Sequence, residues 1–214
     1  DTFFSRLYPR EPLPVEIVLH PSWWHKHGGI CFDEDFFFHP AKRVESERKM
    51  EKILYDKWGR FGLGGDREKD LPVVGAVHLA AGFMISEMLG CRVEYPEDAS
   101  PQVICAEDLN LSVSSGRAFN SPAFKKFSKL LDALKTRYGY LTGDVNWSGI
   151  LNIALDLRGQ DIFLSLHDKP EETLSLFRAI ADVIDGFNGR IEAETGSTSI
   201  SVNRNVLHFS EPLY

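Results

Sequence analysis

Residues 72–90 read "PVVGAVHLAAGFMISEMLG", and the way this stretch is read decides the fold. Its first part, "PVVGAVHL" (72–79), is an apolar and β-branched run, the pattern of a strand covered on both faces. "AAGFMISEMLG" follows as a short helix closed by Gly90. A buried strand leading at once into a helix is the repeating unit of parallel α/β architecture.

Similar units lie on either side. "LPVEIVLH" (13–20) reads as a first buried strand, followed by a long loop. After it, residues 40–59 carry Pro40 at a first helical position, Gly59 as a stop, and Met50, Ile53, Leu54 and Trp58 on one face. "CRVEY" suggests a short strand, and "PQVICAEDLNL" fits helix or strand equally. Ser121 caps a helix opened by Pro122, whose buried face is Phe124, Phe127, Leu130, Leu131 and Leu134. A strand over 140–146 breaks at "WSG" and gives way to two short helical pieces. Asp168, Pro170 and Glu171 have the spacing of a capped start for a last helix, which carries Leu174, Phe177, Ile180, Ile184 and Phe187 toward the core. "SISVNRNVL" (199–207) is the last strand candidate.

Strand and helix alternation leaves two architectures, a doubly wound sheet and a (β/α)₈ barrel. No GxGxxG or Walker A sequence follows a strand, and "GLGGD" (62–66) lacks the Lys-Ser/Thr partner of a phosphate loop. The expected fold class is therefore α/β, a parallel (β/α) TIM-barrel type. A full barrel takes about 250 residues, and only four or five strands stand out, so an incomplete (β/α)₈ barrel in one domain over 1–214 is expected.

Composition narrows the function. The 214 residues are 43% hydrophobic and 26% charged, which suits one soluble domain with a full core. A net charge of -7 offers no basic stripe for nucleic acid. The densest basic run, "KRVESERKMEK" (42–52), is interleaved with Glu and reads as a solvated helix face. No apolar run approaches the roughly 20 residues that span a bilayer. Three cysteines without a CxxC pair suggest a reducing, cytoplasmic setting. The absence of Met at position 1 suggests processing, trimming or a fragment.

Two stretches carry a family likeness. "LDLRGQDIFLSLHDKPEETLSLFRAIADVI" (155–184) resembles the loop-and-helix region of the uroporphyrinogen decarboxylase superfamily, with "RGQDIF" and "LHDKPE" in register with the helix periodicity. "PSWWHKHGGICFDEDFFFHPAKRVESERKMEKILYDKWG" (21–59) resembles the first strand-loop-helix unit of members other than the heme-pathway enzyme. The likeness spans most of the chain and covers the N-terminal half to two-thirds of the family's domain. It implies a (β/α)₈ barrel enzyme with one of two chemistries. One is cofactor-free decarboxylation of uroporphyrinogen to coproporphyrinogen in tetrapyrrole biosynthesis. The other is methyl transfer among corrinoid proteins, thiols and methylated small molecules, in which a zinc site activates the accepting thiol.

The decarboxylase pattern places Arg-Gln-Ala-Gly-Arg-Tyr after the first strand, and this chain has "PSWWHKHGGICF" there. His and one Lys do not replace two guanidiniums for an acidic polypyrrole. Methyl transfer is thus the favoured branch, with a corrinoid protein as partner. Zinc would rest on ligands in a C-terminal part of the barrel beyond this chain. The alternative to an enzyme is a binding or assembly module, a truncated barrel completed by a second copy or a partner chain, because an open parallel sheet exposes unpaired edges.

Residues after barrel strands line the catalytic mouth. On that basis Trp23, Trp24, His25 and His27 are substrate-binding candidates, with packing of the barrel top as the alternative for the tryptophans and solvation for the histidines. The two-residue spacing of His25 and His27 does not suit a helical zinc pair, and Cys31 suits a small buried hydrophobe better than a ligand. His78, at the end of an apolar strand, is the catalytic candidate, against a satisfied core histidine. Asp144 is a second catalytic candidate, with Asn146 and Trp147 beside it to orient substrate, or all three shape a turn. Arg158 would contact an anionic group or solvate a helix end. Glu107 and Asp108 fit a catalytic face or, better, a surface helix.

Overall fold

A computed structural model describes residues 19–66, 72, 74–106, 112–139, 141–196 and 199–200. Helices dominate it. In chain order they are α1 (Pro21–Gly28), α2 (Glu34–Phe38), α3 (Pro40–Trp58) with a 3₁₀ turn at Gly59–Phe61, α4 (Met84–Met88), α5 (Ser115–Asn120), α6 (Pro122–Tyr138), α7 (Ile150–Arg158), α8 (Asp161–Asp168) and α9 (Pro170–Thr195). The strands among the described residues are short: β1 (Arg92–Glu94), β2 (Gln102–Ile104), β3 (Asp144–Val145) and β4 (Ser199–Ile200).

The expected parallel barrel, complete or incomplete, is not what forms. β1 and β2 pair antiparallel, and parallel pairing is confined to β3 with β4 and a single bridge between Gly75 and Thr142. "PVVGAVHL" buries Val74, Ala76 and Val77 as a strand core would, yet the chain turns after His78, where the Ala81 N–H donates to the His78 carbonyl at 2.9 Å. An apolar run of this length records burial, which a short covered segment between helices needs as much as a barrel strand does. The strand expected over 13–20 lies mostly outside the described residues, and its last two, Leu19 and His20, lead directly into α1. Only the first two residues of the 199–207 candidate are described.

Caps and apolar stripes explain the helices. His39 accepts the Lys42 N–H at 3.2 Å and Pro40 fills the first turn of α3. Ser121 accepts the Phe124 N–H at 3.1 Å at the head of α6, which buries Phe127, Leu130, Leu131 and Leu134. α9 buries Ile180, Val183, Ile184, Phe187 and Ile191, and packs against α7 and α8. The rings of Phe127 and Phe187 meet at 5.6 Å, joining α6 to α9 in the centre of the core. Two expectations for α9 change. Asp168 ends α8 instead of capping α9, whose N-cap is Lys169 without a side-chain bond. Leu174, expected in the core, is exposed, as are Phe163, Leu164 and Leu166 of α8.

The long loop expected after His20 is itself helical. Pro21 opens α1, and Asp33 caps α2 by accepting the Phe36 N–H at 2.9 Å, which turns Phe36, Phe37 and Phe38 into the core. No helix among the described residues is long and apolar enough to cross a membrane.

Candidate functional site

α3 reads as a charged helix, but its first two turns face inward. Arg43 and Glu47 stand four residues apart on the stripe that continues through Met50 and Leu54. Arg43 is only 2% exposed. Its Nε donates to Glu47 Oε1 at 2.9 Å, a terminal nitrogen donates to the Gly75 carbonyl at 3.2 Å, and its guanidinium lies 5.6 Å from the centre of the Phe36 ring.

Gly75 belongs to the parallel bridge, so the same contact brings α3 to residues 74–78 and 142–145. The Ala76 N–H donates to the Thr142 carbonyl, the Thr142 N–H to the Val74 carbonyl, and the Val77 N–H to the Asp144 carbonyl. Asp144 therefore stands against Gly75: a Cβ at that glycine would lie 2.8 Å from the Asp144 side chain. The Thr142 hydroxyl sits 3.3 Å from Asp144 Oδ2 and 3.1 Å from the Val74 carbonyl.

His78 completes the cluster. Its Nε2 is 3.8 Å from Glu47 Oε1, beyond a direct hydrogen bond. Its Nδ1 accepts the Ala80 N–H at 3.0 Å, so the neutral ring carries its proton on Nε2, facing Glu47. Phe36 and Phe32 meet the imidazole edge to face at 4.9 and 5.4 Å. His78 and Glu47 keep only 11% and 16% of their side-chain surface.

Burial acts on both groups in opposite senses. It pushes the Glu47 carboxyl up, against the pull of Arg43, and the negative charges of Glu51 and Asp144 raise it further. It holds His78 well below the usual imidazole value, and the Arg43 charge adds to that fall. A carboxyl made more basic beside a histidine kept neutral is an arrangement suited to proton transfer near neutral pH.

The sequence candidates divide around this cluster. His78 and Asp144 lie in it, and Asn146, 3% exposed, borders it through a bond from its side-chain amide to the Leu79 carbonyl. Trp147 turns away, donating to Asn188 of α9 at 3.1 Å. Trp24 is buried core. Trp23 stacks between His27 at 4.7 Å and Trp58 at 5.7 Å, and so cements α1 to α3. His25 lies 3.0 Å from the Glu97 carbonyl. Arg158 ends α7, where it bonds to the Leu157 carbonyl at 3.2 Å. Glu107 and Asp108 lie outside the described residues.

Arg43 and Glu47 are the members that reading the sequence missed. The signal was available: both fall on the apolar stripe of a helix otherwise judged solvated.

Next to α2, an open hollow is lined by Cys31, Asp33, Asp35, His39 and Glu45, but Lys42 and Lys49 share it and Lys42 already pairs with Asp33 at 2.6 Å. Among the described residues no group of three or more His, Cys, Asp or Glu side chains is placed to hold a metal ion. The described residues thus do not fit a zinc site. Comparisons with protein-family models, with curated proteins and with solved structures find no match for this chain.

Proposed function

We propose that the chain is an enzyme acting on a small molecule, with Glu47 as the proton-accepting group and His78 as its neutral hydrogen-bonding partner. The observation that carries the proposal is the pairing of a raised carboxyl with a lowered, tautomer-fixed imidazole 3.8 Å apart at the edge of the core. Asp144 sets the local negative charge, and Asn146 holds the 79 carbonyl that ends the His78 segment.

The sequence likeness supplies the reaction class, methyl transfer involving a corrinoid protein, a thiol or a methylated small molecule. Such a transfer needs a base for the thiol proton, which Glu47 provides. Uroporphyrinogen decarboxylation is the weaker branch on physical grounds. Arg43 is saturated by Glu47 and the Gly75 carbonyl and is shut from solvent, so it is not a clamp for several substrate carboxylates. The reason for expecting a partner chain to complete a barrel falls with the barrel.

The test is thiol methylation by the full chain with methylcobalamin as methyl donor, compared with Glu47→Gln. A catalysed rate that drops about 100-fold or more in the variant is expected. A wild-type rate equal to the uncatalysed one, or an unaffected variant, would overturn the assignment.

A further inference from the structure

We propose that Cys91 and Cys105 form a reversible intramolecular disulfide, making the foot of the β1–β2 hairpin a thiol-oxidation site. The pairing follows from register. Arg92 faces Ile104, Val93 faces Val103 and Glu94 faces Gln102, so the next opposed positions are 91 and 105. Side chains alternate along a strand, which places both cysteines on the face that Val93 and Val103 turn to the core. Directly opposed antiparallel residues have Cα atoms about 4.5 to 5.5 Å apart, inside the range of about 4.4 to 6.8 Å that a disulfide accepts.

Both thiols also converge on one spot, the C-terminal end of α7. Cys91 Sγ lies 3.5 Å from the Asp156 carbonyl and Cys105 Sγ 3.8 Å from the carbonyl of its neighbour Leu155. The Cys91 N–H is given to Ser86 and the Ala106 N–H to Asp156, so these backbone donors anchor the feet of both strands.

Exposure assigns the roles. Cys105 is exposed and Cys91 is 4% exposed. Burial, with the Asp156 charge, pushes the Cys91 thiol up to about 12, which unsuits it for first attack. The oxidant is a low-molecular-weight disulfide of the glutathione class. Cys105 thiolate attacks one of its sulfurs and expels a glutathione thiolate. Cys91 then loses its proton, attacks Cys105 Sγ and expels the second glutathione. Two protein thiols are oxidised by two electrons, and their two protons end on the two glutathione thiols.

The bond would close the hairpin whose turn meets the start of α1. His25 Nδ1 lies 3.0 Å from the Glu97 carbonyl, and His20 Nε2 lies 3.3 Å from the Ser100 hydroxyl. Oxidation at the foot of the hairpin thus braces the contacts that hold α1 in place.

Arg92 lies between the two cysteines, so trypsin separates them into different peptides that only a disulfide rejoins. The full chain is equilibrated in mixtures of glutathione and glutathione disulfide, blocked and digested. The free-thiol titre of the native chain should fall from three to one, with the 91 and 105 peptides linked. Cys31→Ser should keep that link, and Cys91→Ser should stop at a stable glutathione adduct on Cys105. Separate adducts on both cysteines, pairing with Cys31, or a disulfide between two chains would each overturn the proposal.

Discussion

Arg43→Met tests the buried cluster most directly, because methionine keeps the apolar stem while removing the charge. Arg43 is 2% exposed and its partner Glu47 largely buried. Removing one member of a buried ion pair leaves the other uncompensated, at a cost of about 3 to 5 kcal/mol. The exposed edge of Glu47 puts the estimate at the lower end, about 3 kcal/mol at about pH 8. With a urea m-value of about 3 kcal/mol per molar, the unfolding midpoint should fall by about 1 M.

The sign of the pH dependence follows from both neighbours. Without Arg43, the folded-state pKa of Glu47 rises further above its unfolded value of 4.5. A raised carboxyl destabilises the folded state as pH climbs from the unfolded pKa through the folded one. The added penalty is therefore full at alkaline pH and shrinks as pH falls toward 4.5. His78 acts the same way, since loss of the Arg43 charge lets its lowered pKa climb back toward 6.5 and relieves the cost of holding it neutral in acid. At about pH 5 only the lost bond to Gly75 and the contact with Phe36 should remain, about 1 kcal/mol. Urea melts at the two pH values measure the difference, and Arg43→Met/Glu47→Met should be more stable than Arg43→Met alone at the higher pH. A cost below about 1 kcal/mol at about pH 8, an equal cost at both pH values, or a double variant no better than the single would refute the cluster as described.

Gly64 has φ +69°, and a Cβ there would lie 2.2 Å from the Glu51 carbonyl oxygen and 2.4 Å from the Tyr55 nitrogen; Gly64→Ala should lower the thermal midpoint markedly, by more than the roughly 1 kcal/mol that a left-handed residue alone costs. Ser121→Ala removes the cap of α6 and should cost about 1 kcal/mol in urea unfolding, while Ser121→Asp should cost much less. The Cys91 thiol, raised from 9.0 to about 12, binds its proton more tightly when folded, so reduced protein should lose stability as pH climbs above 9.0. That loss runs at up to about 1.4 kcal/mol per pH unit, and Cys91→Ala should flatten the alkaline slope in calorimetry.

The helices were legible because their signals are local. Pro40 and Gly59 bracket α3, Ser121 and Pro122 open α6, and each apolar stripe repeats within one segment. α1 and α2 escaped notice because they are short and their Trp and Phe residues show no repeat long enough to register as periodic. The sheet was misjudged for the opposite reason, since pairing is a property of two distant segments. "PVVGAVHL" and "YLTGDVN" do meet in parallel, but they share one bridge, and nothing within either run limits how far the pairing extends. His78 and Asp144 were found as polar residues in apolar surroundings, a local contrast.

Arg43 and Glu47 defeat that kind of search, because among the charges of "KRVESERKMEK" no contrast exists. What separates them from Lys42, Glu45 and Lys49 is phase: they occupy the stripe of Met50 and Leu54, and Arg43 is closed by a carbonyl 32 residues along the chain, Gly75. That carbonyl is held by the bridge to Thr142, which also sets Asp144 against the cluster. Ion pair and parallel bridge are therefore one unit. A side chain at Gly75 should disturb both at once: Gly75→Ala should shift Asp144, weaken the Arg43 contact and perturb the His78 resonances, although neither charged residue nor the histidine has been altered.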